Sequence, residues 1–395
     1  MSTELASRMS MIKGSPTSVI VAKVAELKEK GVDIISLNVG EPDFPTPAYI
    51  RDAVRYALDN EPIRYTTGAG ILPLRQAICD KLAKDNGITY DPKEILISVG
   101  AKQALYSALM AIAGPGDEII IPTPCYVSYP EMVRMTGATV VTVPSDPATN
   151  QLDIEAIRRA VTPKTKALII CSPSNPTGVV YEAECLKALA DLAVAHDFFV
   201  LADEIYEKII YGKARHVSIA SFNDEIRRRT ITINGFSKSH AMTGWRIGYA
   251  AGPQTVITAM TKIQSQITTC VSELVQKAAL AALTGPQDDT EMMRQSFETR
   301  RDYVTKRLAA MPGISFTPID GAFYVLFNVE PYIGRTMKGH VIGNDVDFCE
   351  YVLGEAHVAM VPGSAFEAPG HIRISYATSM ALLEEAMNRL ERVLM

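Results

Sequence analysis

Lys238 and Arg246 stand eight positions apart in "NGFSKSHAMTGWRIGYA", residues 234–250, beside Ser237, three glycines and the chain's only Trp. A run of β-formers, "TITI", comes directly before this stretch. A lysine amine at a strand end can bond a carbonyl carbon, or carry a proton, once nearby cations and dry surroundings lower its proton affinity. A guanidinium fork suits bidentate capture of a phosphate or carboxylate. Lys238 and Arg246 are therefore candidates for a covalently held group and for its anionic arm.

Ligands of open α/β sheets sit beyond the carboxyl ends of strands, so the residues after each apolar run matter most. "EILISV" is followed by Gly100, Ala101 and Lys102 at a helix start, where free N–H groups suit an anion. "KALIIC" is followed by "SPSNPTG" with Asn175, and "FFVLA" by Asp203 and Tyr206 in "DEIY". Taken singly, Gly100 also reads as a plain strand-to-helix connection, Asp203 as a helix cap or ion pair, and Asn175 as a turn residue. No full G-x-G-x-x-G occurs at such a turn, because "TGAG" (67–70) lacks both a preceding strand and a third glycine, which removes the chief support for nicotinamide binding.

Elements that position these residues follow from periodicity. "EILISV", "DEIIIP", "ATVVTVP", "KALIIC", "FFVLAD", "TITING" and "IGYAAG" are short runs apolar on both faces, most of them separated by amphipathic segments such as "ECLKALADLAVAHD". They predict a mainly parallel sheet covered by helices on each side. "TPAYIRDAVRYALDN" predicts a helix with Thr46 as N-cap and Pro47 at the first position. "KQALYSALMAIAG" predicts a helix closed by glycine. After "TGPQDD" come a long charged helix, an antiparallel pair in "GISFTPIDGAFYVLFNV", a further helix, "HIRISYA" and a last helix. The expected organisation is a large α/β domain over 46–285 and a smaller α+β domain from 1–45 and 286–395.

The net charge of -5, with no basic run, argues against nucleic acid as a partner. No stretch reaches the ~18 apolar residues of a spanning helix, and the N-terminus lacks a signal-length apolar core. No membrane association is expected, and the cytoplasm is the expected compartment. The six cysteines show no CxxC pair and no Cys/His cluster at metal spacing, so no metal is expected. Cys125, among the prolines of "PTPCYVSYP", could instead be a reactive thiol, although no base stands near it in sequence.

"SPSNPTG", "ADEIY" and "GFSKSHAMTGWRIGY", in this order, resemble the class I and II aminotransferases, the bacterial aspartate aminotransferase subgroup above all. The likeness runs from "LNVGEPDFPTP" to "HIRISYATS". It implies the fold type I architecture of pyridoxal-phosphate transferases: a mainly parallel seven-stranded sheet between helices, plus a smaller α+β domain. The implied cofactor is pyridoxal 5'-phosphate, held covalently by Lys238, which then shuttles a proton. Asp203 would face the pyridine nitrogen, and Tyr206 and Asn175 the ring oxygen. Arg246, Ser237 and the N–H groups around Gly100 and Ala101, beside Lys102, would hold the phosphate, with Tyr126 stacked on the ring. Tyr65 would reach the phosphate of a neighbouring subunit, which implies a homodimer with shared active sites. Arg373 would take the substrate α-carboxylate, close to Gly40, whose missing side chain permits the approach. Trp245 is expected to pack the loop beside Arg246.

Lys102, Ser15 and Thr17 match the subgroup's lysine and hydroxyl site for a distal carboxylate. Ser15 before Pro16 reads equally as a helix cap, and Lys102 as a solvated side chain. The implied reaction is ping-pong transfer of an amino group from L-aspartate to 2-oxoglutarate, so the small-molecule partners are amino acids and 2-oxo acids. "SQITTCVSELVQKAAL" also resembles aromatic and broad-specificity relatives, leaving aromatic amino acids or prephenate as the alternative. A β-lyase or cyclopropane-forming synthase shares the lysine loop. A DNA-binding regulator would need a basic domain ahead of "GEPDF", where only about 40 residues stand.

Overall fold

All seven apolar runs form strands of one sheet in the computed structural model, which describes residues 5–14 and 16–395. They are β1 (Ile95–Ser98), β2 (Glu118–Thr123), β3 (Thr139–Pro144), β4 (Thr165–Cys171), β5 (Phe199–Asp203), β6 (Thr230–Gly235) and β7 (Gly248–Ala251). Their spatial order is β1-β7-β6-β5-β4-β2-β3. The neighbours from β6 through β5, β4 and β2 to β3 pair in parallel, and β7 alone runs antiparallel to both its neighbours. Helices cover both faces, which is why β1 and β6 are buried along their whole length.

Helix α1 (Pro16–Glu29) precedes a two-residue strand, Ile35–Ser36, which pairs in parallel with Val358–Ala359 and ties the N-terminal segment to the C-terminal part of the chain. Helix α2 (Gly100–Ile112) leaves the carboxyl end of β1. The long charged helix is α3 (Asp288–Ala309), with acidic residues in its first turn and Lys306 and Arg307 in its last, both complementing the helix dipole. From its middle, Arg300 grips Asp43 with two hydrogen bonds of 2.6 and 3.1 Å, anchoring the "GEPDF" segment that carries Gly40.

The expected antiparallel pair forms between β8 (Ser315–Phe316) and β9 (Tyr324–Asn328), and a four-stranded sheet is completed by β10 (Val361–Pro362) and β11 (His371–Ser375). Arg373 lies opposite Leu326 in this sheet. One apolar cluster runs from Leu105 and Ile169 of the large sheet region through Phe297 and Phe323 to Ile374 and Leu390, so the two sheets share a core.

Two helix-end expectations are corrected. The helix after "TP" spans Ala48–Asn60 with Pro47 at the cap and no side-chain cap bond. Thr46 Oγ1 instead donates to the Ala241 carbonyl at 2.7 Å and accepts from Trp245 Nε1 at 2.9 Å, clasping the lysine loop. Helix α2 ends at an extended Ala113 rather than on a glycine cap.

Candidate active site

The carboxyl ends of β4, β5 and β6 and the start of α2 open on one cavity of about 410 Å³. Lys102, Ala101, Tyr126, Asn175, Asp203, Tyr206, Ser237, Lys238, Arg246, Gly40 and Arg373 all border it, so eleven residues singled out from seven separated segments converge.

Asp203 ends β5 and is 5% exposed. Its Oδ2 accepts from the Tyr129 hydroxyl at 2.8 Å and its Oδ1 from the Ile205 N–H at 3.3 Å. Burial pushes this carboxyl up to about 6 despite those donors, because neither brings a positive charge. A carboxylate so placed is short of a cation.

Lys238 follows β6, and its Nζ donates to the Gly40 carbonyl at 2.6 Å. Burial, reinforced by the nearby Arg373 and Arg246 charges, lowers its amine to about 8 against the opposing pull of Glu41 and Asp203. Such an amine is unprotonated for part of the time near neutrality, as a nucleophile or proton carrier must be.

Arg246 has a left-handed backbone and donates from Nη1 to the Thr243 carbonyl at 2.8 Å. A Cβ on Gly100 would stand 2.6 Å from Arg246 Nη2, so only glycine lets the guanidinium rest against the start of α2. A cation and a helix N-terminus thus meet at one end of the cavity, the setting an anionic group needs. Gly100 itself lies beside Arg246 behind the cavity wall.

Arg373 is 3% exposed and donates to Asn175 Oδ1 at 3.2 Å and to the Asn38 carbonyl at 2.8 Å. Its guanidinium lies between the rings of Tyr324 and Phe366, at 4.5 and 4.7 Å from their centroids. Neutral partners leave its charge uncompensated, and burial lowers its proton affinity. It is prepared for a carboxylate.

Other expected residues fall differently. Tyr65 is 87% exposed and does not border the cavity. Lys102 is exposed at its rim, with Nζ 5.4 Å from the Tyr126 ring centroid. Ser15 and the side chain of Thr17 lie outside the described residues. Cys125 is buried in apolar surroundings that push its thiol up to about 12, opposite to what a reactive thiol requires.

Sequence reasoning missed Tyr129 and Tyr324. Tyr129 lies in the first turn of the helix Ser128–Thr136, three residues after Tyr126, and its ring meets that of Tyr126 edge to face at 5.5 Å, so its nearness in sequence to Tyr126 was the available signal. The Tyr324 hydroxyl sits 2.8 Å from that of Tyr206 and also borders the cavity. Nothing in "GAFYVLF" marks it as more than a core residue.

Compared with known proteins, the chain matches the family described as aminotransferase class I and II over residues 32–390. The protein belongs to this family. An aspartate aminotransferase of Geobacillus stearothermophilus is 45% identical over 390 residues, covering 98% of each chain. A probable aspartate/prephenate aminotransferase of Aquifex aeolicus is 44% identical, covering 99% of this chain and 98% of that one. Among solved structures, an aspartate aminotransferase from Thermus thermophilus with maleate superposes with a TM-score of 0.94 at 44% identity over the full length of both chains. The mainly parallel seven-stranded architecture and the aminotransferase reading are thereby borne out.

Proposed function

We propose that this aminotransferase uses pyridoxal 5'-phosphate to move the amino group of L-aspartate to 2-oxoglutarate. The observation that carries the reading is the convergence of Lys238, Asp203, Arg246 and Arg373 on one cavity, each with its charge unsatisfied in a way the cofactor or substrate would complete. The cavity volume suits a small aromatic phosphate. The glycine at position 100 lets the Arg246 guanidinium rest against the helix start, where an anion in the cavity would meet it together with Ser237 and Ala101. The cation-starved Asp203 suits a protonated ring nitrogen, and Tyr126 would stack on the ring while Asn175 and Tyr206 would meet its oxygen. Shape and donor set therefore fit the group.

When bound, the cofactor supplies an electron sink for the pair released as the substrate's Cα–H bond breaks. Arg373 holds the α-carboxylate in a bidentate grip beside the Gly40 backbone, which orients Cα–H toward the Lys238 amine. Lys238 would take that proton and pass it on to the cofactor carbon within the same half-reaction, and would carry a proton the opposite way when the oxo acid is aminated. Asp203 keeps the ring nitrogen protonated while Tyr129 holds its carboxylate in place.

Lys102 at the rim, with Ser15 and Thr17, is proposed to take the distal carboxylate. The lysine stem is long enough to swing aside, and the Aquifex aeolicus relative is named for prephenate as well as aspartate, so prephenate is the second substrate reading. We further propose a homodimer in which Tyr65 completes the partner's site. Its exposure, with that of Tyr56, Leu58 and Leu72, leaves apolar surface that an interface would cover. The division into domains at 46–285 follows the same reading. No described helix is long and apolar enough to cross a membrane, and the cytoplasm is the proposed compartment.

Initial-rate kinetics with aspartate and 2-oxoglutarate test the function. Parallel double-reciprocal lines with oxaloacetate and glutamate as products are expected. Intersecting lines, or pyruvate and ammonia formed without an oxo-acid acceptor, contradict it.

A further inference from the structure

Tyr324 stands where three parts of the site meet. It begins β9, is 1% exposed, and its hydroxyl reaches 2.8 Å to that of Tyr206 on the turn after β5. Their rings meet edge to face, with centroids 5.7 Å apart at 81°. Arg373 lies on the face of the Tyr324 ring, 4.5 Å from its centroid. A Cβ on Gly40 would fall 2.4 Å from the Tyr324 hydroxyl, so the backbone that receives the Lys238 amine packs directly against this phenol.

Two phenols sharing one hydrogen bond must settle which one donates. The Arg373 cation over the Tyr324 ring favours its ionised form and so strengthens it as a donor. Burial pushes the Tyr324 phenol up to about 12, with Arg373 and Tyr206 both opposing the rise. The Tyr206 phenol is raised as well, by burial first and then by Tyr324. The Arg373 guanidinium, 4.5 Å from the Tyr324 centroid, is closer than the Lys238 amine is to the Tyr206 ring, at 5.8 Å, which favours Tyr324 as the donor of the two. With Tyr324 as donor, the Tyr206 proton is free to point elsewhere.

We propose that Tyr324 is a positioning residue of the active site: by donating to the Tyr206 oxygen it aims the Tyr206 proton at the ring oxygen of the bound cofactor, and its ring seats Arg373 for the substrate carboxylate. The inference rests on the functional reading above. Tyr324 comes from the smaller sheet and Tyr206 from the turn that follows β5 of the larger, so the bond couples the arginine that meets substrate to the phenol that meets the cofactor.

A proton donated to the ring oxygen stabilises its ionised form, so the visible band of the loaded enzyme should change with pH at a lower midpoint than without that donor. The charged and titratable groups facing the Lys238 amine, Glu41, Arg373, Arg246 and Asp203, are unchanged in the variants used. Tyr324→Phe deletes the hydroxyl and keeps the ring under Arg373. Loaded with pyridoxal phosphate, it should show a midpoint raised by about half a unit or more, roughly threefold in proton affinity. The affinity of a dicarboxylate probe, maleate, should change less than about twofold, because the ring beneath Arg373 stays. In a Tyr206→Phe background, Tyr324→Phe should not move the midpoint further, since the effect runs through Tyr206.

An unmoved midpoint in Tyr324→Phe, or the same shift with and without Tyr206, overturns the proposal. Should Tyr324→Phe not fold, 3-fluorotyrosine placed at position 324 keeps the fold and strengthens the donor. It should lower the midpoint, and an unchanged or raised one overturns the proposal equally. Absence of any visible band in the reconstituted wild-type enzyme would sink the functional reading instead, whereas a normal wild-type band with an unshifted variant sinks only this inference.

Discussion

Two carboxylate sites share the turn after β5 and have opposite characters. Asp203 and Tyr206 face the cavity, while Glu204 and Glu207 face away into a buried polar network. There, Lys81 pairs with Glu207, Asn86 donates to Glu207 at 2.8 Å and to Ser218 at 2.7 Å, and Ser218 donates to Glu204 at 2.7 Å. His216 Nε2 lies 3.2 Å from Glu204, which raises the imidazole's proton affinity against the opposing effect of burial. Burial alone would raise Glu207, but Lys81, His216 and Asn86 bring it down to about 2. Asp203, equally buried but offered only a phenol and an N–H, rises to about 6. One cluster supplies its own counter-charges and is structural. The other lacks a cation, and that deficit marks where a ligand belongs. The Glu204, Glu207 and His216 ligand atoms lie within 4.8 Å of one another, yet the Lys81 ammonium already provides the charge a metal would bring.

The sharpest break comes from Lys238→Ala, which should lower kcat by about a thousandfold or more while the far-ultraviolet spectrum is kept. Steady-state assays beside circular dichroism check both halves. Asp203→Ala should reduce kcat by about a hundredfold and loosen the cofactor without destabilising the apoprotein, because it removes a carboxylate that has no cation. Lys81→Met should do the reverse. Breaking the buried pair should cost about 3–5 kcal/mol in urea unfolding and leave the visible band of the loaded enzyme in place.

The pH dependence of apoprotein stability separates the clusters by sign. Glu207, lowered from 4.5 to about 2, contributes stability that is present above pH 4.5 and lost as pH falls through that window. Asp203, raised from 3.8 to about 6, makes the folded apoprotein less stable as pH rises through its window. Cofactor loading should abolish the second slope and leave the first, a contrast that urea midpoints from pH 3 to 7 would expose. Lys102→Ala should have the smallest effect, about tenfold in kcat/KM for aspartate and close to none for an aromatic donor.

Most of the fold was legible because seven runs, apolar on both faces, leave few alternatives to a covered sheet. The lysine loop was legible because Ser237, Lys238 and Arg246 stand in a segment that resembles the lysine loop of the class I and II aminotransferases. The hydroxyl partners were not. Whether Tyr129 reaches Asp203, or Tyr324 reaches Tyr206, depends on how elements over 70 residues apart dock. Thr46 read as a cap because Thr-Pro before an amphipathic run is a local signal, and its use by Ala241 and Trp245 is a tertiary one. In "DEIYE", which acidic residue faces the cavity is decided by turn geometry, not by residue type.

A single-turnover experiment addresses the central claim most directly. Wild-type enzyme and Lys238→Ala, both loaded with pyridoxal phosphate, are mixed with L-aspartate in the absence of any oxo acid. One oxaloacetate per active site is expected from the wild type, with loss of its visible band, and none from the variant on the same timescale. Equal oxaloacetate from both proteins would contradict it.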